Sequence, residues 1–270
     1  MKCLIVNADD FGFTRDVNEG IVEAHCRGIL TASTLMANGE AFKDAVRLAR
    51  AAPSLDIGCH LVLVGGRSLI TGRDLPRDVP ALLAALISGR LQIFKEIAAQ
   101  IQAILDAGIR PTHLDTHKHT HLAPPVLDAV ARASREFGIR WVRRPFDFPT
   151  TAASGSVGLL KRMTSQGAGS LRNRFHRVLS AHECRTTDHF AGFQITGTLR
   201  TGELMELIRA LPEGLTEFMC HPGRCGQELQ AASTRLKQSR ERELEALTAP
   251  EVRDALRESG VELTSYRAQC

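Results

Sequence analysis

The chain has 270 residues, 43% of them hydrophobic and 24% charged, the proportions of an ordinary globular protein for which one α/β domain is the default. Its 34 basic and 30 acidic residues leave a formal charge of only +4, spread rather than blocked, so no nucleic-acid partner is called for, and no apolar run reaches the ~18 residues of a transmembrane segment. Seven cysteines, an odd number without a Cys-x-x-Cys pair, read as reduced thiols, and Met1-Lys2 leads at once into Cys3-Leu4-Ile5-Val6, so a cytoplasmic protein without a signal peptide is expected.

In chain order, Cys3 to Asn7 reads as a buried strand and Asp16 to Arg27 as a helix closed by Gly28. A strand over Thr34 to Ala37 precedes a helix from Ala41 to Ala52 that Pro53 stops, and Asp56 to Val64 is a third strand. Leu91 to Ala107 predicts a helix ended by Gly108, Thr112 to Thr116 a strand, Pro124 to Phe137 a helix ended by Gly138, and Trp141 to Arg143 a strand. From Asp147 to Thr196 the periodicity loosens into Gly, Ser, Ala and Arg, with a basic stretch from Leu171 to Leu179. That predicts a lid or insertion over the site, within a single domain spanning residues 1–270. Glu203 to Ala210 resumes as helix, Leu215 to Cys220 as strand, Gln238 to Leu247 and Glu251 to Glu258 as polar helices, and Val261 to Tyr266 as a last short strand. Strand and helix alternate roughly every 30 to 40 residues, which predicts an α/β fold of the distorted (β/α) barrel type.

In such a fold the polar residues at the carboxyl ends of the strands converge on the active-site mouth. Asp9 and Asp10, His60, His113 to His121, Arg143 and Arg144, and Glu217 with His221 all stand there. Taken singly, the aspartates would suit a helix N-cap, His60 a hydrogen-bonded strand residue, Arg143 a surface strand end and His221 a turn in His221-Pro222-Gly223. Taken together they suggest a metal site, because four of the ten histidines fall between His113 and His121, interleaved with Asp115. An apolar core has no use for so many imidazoles in one place. One carboxylate and two imidazoles on a divalent ion leave positions open for water and substrate, and no cysteine joins the cluster to close it. A second carboxylate beside the metal can act as base, His221 can protonate a leaving group, and Arg143 can orient and ionise the acids. Alternation along an extended segment would put His117, His119 and His121 on one face, so spacing does not select among them.

The motifs Asn7-Ala8-Asp9-Asp10-Phe11-Gly12, Gly58-Cys59-His60-Leu61, Pro111-Thr112-His113-Leu114-Asp115-Thr116-His117-Lys118-His119-Thr120-His121 and Glu217-Phe218-Met219-Cys220-His221-Pro222-Gly223 resemble those of the YdjC-like carbohydrate deacetylase family, nearly end to end. That family includes chitooligosaccharide deacetylases and hopanoid-biosynthesis deacetylases. The resemblance implies hydrolysis of an N-acetyl group from an amino sugar by one divalent ion; an Asp-His-His set accommodates magnesium or zinc, and manganese or cobalt as well. By position it implies Asp10, His60 and His117 as metal ligands, with His121 as the substitute, Asp9 as base, Arg143 as its support and His221 as acid. The chain departs from the chitooligosaccharide enzymes at Lys118 and in its basic, aromatic-poor lid, and it has one Trp and one Tyr in all. His189-Phe190-Ala191-Gly192 and Leu211-Pro212-Glu213-Gly214 look more like the hopanoid-associated branch, so the expected partner is an N-acetylated sugar or a glycolipid, and a homodimer is a compatible assembly. Two rivals remain at this stage: a metal-dependent hydrolase of phosphate or cyclic amide bonds, which would gather a second metal, and a non-enzymatic sugar- or metal-binding barrel.

Overall fold

The computed structural model describes residues 1–149 and 169–269. Eight strands form one sheet in which the strand pairings are parallel. β1 (Lys2–Phe11) runs through its middle, with β2 (Ala32–Leu35), β3 (Asp56–Leu61), β4 (His113–Thr116) and β5 (Trp141–Val142) on one side and β7 (Gly214–Cys220) and β6 (His189–Ala191) on the other. β8 (Val261–Leu263) pairs with Lys2 to Leu4, on the edge that β2 leaves free because it joins β1 only from Asn7 onward. The two ends of the sheet meet at an irregular seam, where Trp141 bridges Arg185 and the Phe148 amide donates to the Phe190 carbonyl at 2.9 Å. The sheet is therefore curled into the distorted barrel that the alternating elements predict.

Parallel strands covered on both faces read as continuous apolar runs, and Leu4, Ile5, Val6 and Ala8 of β1 are all fully buried. α1 (Arg15–Arg27) starts where Thr14 Oγ1 accepts the Val17 amide at 3.2 Å, and buries Val17, Ile21 and Ala24 along one stripe. The remaining helices among the described residues are α2 (Phe42–Ala51), α3 (Val79–Ile87), α4 (Ile93–Asp106), α5 (Pro124–Phe137), α6 (Gly169–Ala181), α7 (Thr201–Arg209), α8 (Gln227–Ala231), α9 (Gln238–Thr248) and α10 (Pro250–Glu258). α5 begins on two prolines and ends at Gly138, whose φ of 70° only glycine adopts freely.

Several elements differ from the sequence expectations. β1 continues four residues past Asn7, so Asp9 and Asp10 lie inside the strand rather than after it. β2 sits two residues earlier than Thr34 to Ala37. Periodicity misses α3, which is apolar nearly all round and is capped by Asp78 through the Ala81 amide. The Asp147 to Thr196 stretch supplies parts of the main fold, since α6 packs on α5 and β6 pairs with β7. A three-residue strand is too short to display a period. Residues 150–168, the centre of the expected lid, lie outside the described residues.

Candidate metal centre and active site

The register of β1 against β2 slips between Ala8 and Phe11: Ala8 pairs with Ser33 and Phe11 with Leu35, so β1 carries one residue more than its partner. Asp10 takes up the excess at φ 70°, a left-handed conformation that costs a non-glycine residue roughly 1–2 kcal/mol. In an unbroken strand adjacent side chains face opposite sides of the sheet. The bulge brings both carboxylates to His60 instead.

Asp10, His60 and His117 form a triangle of ligand atoms. Asp10 Oδ1 stands 3.3 Å from His60 Nε2 and 3.2 Å from His117 Nδ1, and the two ring nitrogens are 3.2 Å apart. Donors about 2.1 Å from one ion lie roughly 3.0 Å apart in an octahedral shell and 3.4 Å apart in a tetrahedral one, and all three separations fall between these limits. Asp10 Oδ1 is buried, and the two imidazole nitrogens that face it are those of the triangle. His60 Nδ1 donates to Asp115 Oδ1 at 2.7 Å, which leaves the Nε2 lone pair facing the triangle. The donor set thus fits a divalent ion. Asp9, Asp10, Asp115, Glu217 and Glu243 are buried around it with Arg143 and Arg240; the two arginines hold Asp9 and Asp10 ionised against burial, whereas burial pushes Asp115, Glu217 and Glu243 upward. Burial opposes a charge on His60, but Asp115, Asp10 and Asp9 outweigh it and raise the ring to about 10, so a proton and a metal ion compete for the same place.

Asp9 is held differently. Arg143 binds it with two parallel bonds, Nη1 to Oδ2 and Nη2 to Oδ1, each 2.7 Å. The same guanidinium meets Asp115 Oδ2 at 2.6 Å and Glu217 Oε1 at 2.7 Å. Burial alone would raise the Asp9 carboxyl; Arg143, with His60 and His221, overrides it and holds Asp9 well below the usual range. Thr34 Oγ1 donates to Asp115 Oδ2 at 3.0 Å and stands 3.2 Å from His60 Nδ1, so Thr34 and Asp115 together orient the ring. His221 Nε2 lies 4.0 Å from Asp9 Oδ2. Burial lowers its pKa to about 4, against the pull of Asp9 and Asp10, so the ring is neutral at neutral pH.

The other histidines of the cluster are turned elsewhere. After His117 the chain enters a tight 3-10 turn over His117–Leu122 in which Lys118 and His119 have φ of 55° and 51°. Extended alternation therefore fails, and the expectation that His117, His119 and His121 share one face is corrected. His121 Nε2 donates to the Arg143 carbonyl at 3.1 Å and its Nδ1 meets Thr116 Oγ1 at 2.5 Å, so both ring nitrogens are engaged away from the triangle. His119 packs edge-on against Phe193 at 5.1 Å. His113 stacks on Tyr266 at 4.0 Å and bonds to Asn7 Oδ1 at 2.9 Å; a Cβ on Gly58 would enter its ring at 2.6 Å.

Sequence reasoning misses Thr34 and, on α9, two further residues of the site. Arg240 Nη2 donates to Asp10 Oδ2, and Glu243 Oε2 accepts the backbone amide of His221 at 2.5 Å. Their spacing of three residues is visible, but in a helix as polar as Gln238-Ser239-Arg240-Glu241-Arg242-Glu243 nothing separates a buried charge from a solvated one.

A family model described as YdjC-like protein matches residues 3–258. The chain is 31% identical over 277 aligned positions to a carbohydrate deacetylase from Brevibacillus brevis, covering 97% of this chain and 98% of that one. It is 33% identical to a carbohydrate deacetylase from Geobacillus stearothermophilus, covering 97% and 96%. Among solved structures it is similar to an Enterococcus faecalis protein assigned provisionally to cellobiose-phosphate cleavage, with a TM-score of 0.79, 25% identity and coverage of 100% and 99%. A lactam utilization protein from Thermus thermophilus, at 16% identity, a TM-score of 0.54 and coverage of 98% and 100%, shares the fold.

Proposed function

We propose, from the premise that the chain belongs to the YdjC-like protein family, that it is a metal-dependent carbohydrate N-deacetylase whose Asp10, His60 and His117 hold one divalent ion. The observation that carries this is the triangle of converging donors beside an aspartate locked by Arg143. A bound ion, magnesium or zinc, polarises an acetamide carbonyl and lowers the pKa of water.

The protein's own residues do the rest. Asp9, ionised and fixed at two oxygens, takes a proton from the attacking water. Because Arg143 keeps Asp9 a weak base, it gives that proton up readily, and His221 stands 4.0 Å away to receive it. His221, at about 4, is in turn far less basic than the departing sugar amine, so once Asp9 holds the proton both onward transfers run toward the more basic group. Arg143 spans Asp9, Asp115 and Glu217 and prevents Asp9 from swinging onto the metal ligands.

A second cluster, Asp9, His60 and Asp115, overlaps the first, but Arg143 occupies oxygens of both its carboxylates, which argues against the two-metal arrangement of a phosphate hydrolase. The substrate reading is an N-acetylglucosaminyl unit, on an oligosaccharide or a glycolipid. Acetate release is to be measured from free, oligomeric and lipid-linked N-acetylglucosamine with the metal-loaded chain. Asp9→Asn should keep its metal and lose activity by about 10²-fold or more. If Asp9→Asn loses the metal while Asp10→Asn keeps it, the two roles are reversed; no acetate from any of the sugars would count for a binding barrel.

A further inference from the structure

One helix touches both halves of the site. Arg240, in the first turn of α9, is 1% exposed, and its Nη2 donates to Asp10 Oδ2. Three residues on, Glu243 accepts the His221 amide through Oε2 at 2.5 Å and the Gly197 amide through Oε1 at 3.3 Å. The helix is itself fastened to the His221 loop, since the Gly223 amide donates to the Arg240 carbonyl at 3.2 Å, and Arg240 Nε is held by the Leu236 carbonyl just before the helix, to which it donates at 3.3 Å. Gly223 leaves room for the arginine stem, since a Cβ there would lie 3.2 Å from Arg240 Cδ.

We propose that α9 is a clamp in which Arg240 positions Asp10 as a one-oxygen metal ligand and Glu243, one turn later, fixes the His221 backbone and so holds its ring beside Asp9. Both are positioning residues. The proposal rests on the metal-dependent reading above and names the parts that hold its geometry. With Oδ2 tied to Arg240, Asp10 has only Oδ1 to offer, and Oδ1 is the atom in the triangle with His60 and His117. A carboxylate free to bind through both oxygens would take a position that water and substrate need. Two opposed effects are separable here. The guanidinium charge repels a cation and weakens its binding, whereas the fixed orientation strengthens it and selects its geometry; a buried, charge-assisted bond to a residue in a strained backbone favours orientation.

The test uses Co²⁺ as probe, with affinity from isothermal titration calorimetry and coordination from its visible spectrum. The wild-type chain should bind one Co²⁺. Arg240→Met should weaken it about tenfold or more and change the spectrum, and Arg240→Lys, which keeps the charge and one donor, should recover part of the affinity. Glu243→Gln should leave Co²⁺ affinity within about twofold yet lower kcat for acetate release with little change in KM. Folded Arg240→Met with wild-type or tighter affinity and an unchanged spectrum would overturn the clamp alone. If that variant does not fold, a wild-type spectrum and affinity in Arg240→Gln, whose shorter neutral side chain gives up the charged bond to Asp10 Oδ2, has the same force. A wild-type chain that binds no Co²⁺ removes the metal reading and the clamp together.

Discussion

Two neighbouring carboxylates on a regular strand point to opposite faces, so a pocket that uses both Asp9 and Asp10 needs the extra residue that shifts β1 against β2 and the left-handed φ of Asp10. The residue types were legible in the sequence; the bulge was not, because nothing local marks an aspartate that will adopt φ 70°. The same holds for the choice among the clustered histidines, which depends on two further left-handed residues, Lys118 and His119, where alternation predicts an extended chain. His121 offers a test at this scale. Its pKa is lowered to about 3, chiefly by burial, whereas an unfolded histidine titrates near 6.5. Between these values the unfolded chain binds a proton that the fold refuses, so His121 makes the fold lose stability as pH falls below 6.5. Replacing it by glutamine removes that loss. Relative to wild type, His121→Gln should gain up to about 1.4 kcal/mol per pH unit between pH 6 and 4.5, read from urea unfolding at several pH values. It should also keep its metal, while His117→Ala should not; a parallel pH dependence in the two proteins would mean that His121 is not buried neutral.

Elements are placed by contacts that only glycine permits. α1 carries Gly20 on the face that meets the His221-Pro222-Gly223 loop, and a Cβ on Gly20 would lie 2.4 Å from Gly223 Cα. The nearest atoms are backbone, which cannot swing aside as a side chain does. Gly20→Ala should therefore push the loop outward, carrying His221 away from Asp9 and loosening the Gly223 to Arg240 bond that fastens α9. An overpacked contact of this kind costs typically 1–3 kcal/mol. The expected outcome is a stable but weakened protein, with kcat reduced more than metal affinity, measured by thermal unfolding beside acetate release and metal titration. Full activity in Gly20→Ala would show that the loop does not depend on this face. The helix was legible from its period and from Gly28 at its end, and so were the strands that carry His60 and Glu217. α3, α6 and β6 were not: the first lacks a polar face, and the others lie in a Gly- and Ser-rich stretch that shows no clear period.

Across the whole molecule, the proposed ligands come from β1, from β3 and from the turn after β4, while the groups that brace the site lie on β2 and β4, follow β5 and β7 and sit on α9. Segments some 230 residues apart in sequence, Asp10 and Arg240, thus depend on one small volume. An ion bound there needs the fold to bring its donors together, so it stabilises the barrel by mass action, by the full amount where the unfolded chain does not bind it. At a free concentration 100 times its Kd the gain is about 2.7 kcal/mol. For a chain of this length each kcal/mol moves Tm by roughly 2–4 °C, which gives a rise of roughly 5–10 °C over the chelated protein. The pattern across variants carries the argument further than the shift itself. His117→Ala should abolish the rise because it removes a corner of the triangle, whereas His119→Ala, whose ring packs against Phe193, should lower Tm with and without the ion and leave the difference between them intact. Asp9→Asn should retain the rise while losing turnover, separating the carboxylate that binds from the one that moves a proton. Calorimetric scans with EDTA and with added Zn²⁺ would read all three, and an identical Tm in both buffers for the wild-type chain would contradict a bound ion at this site.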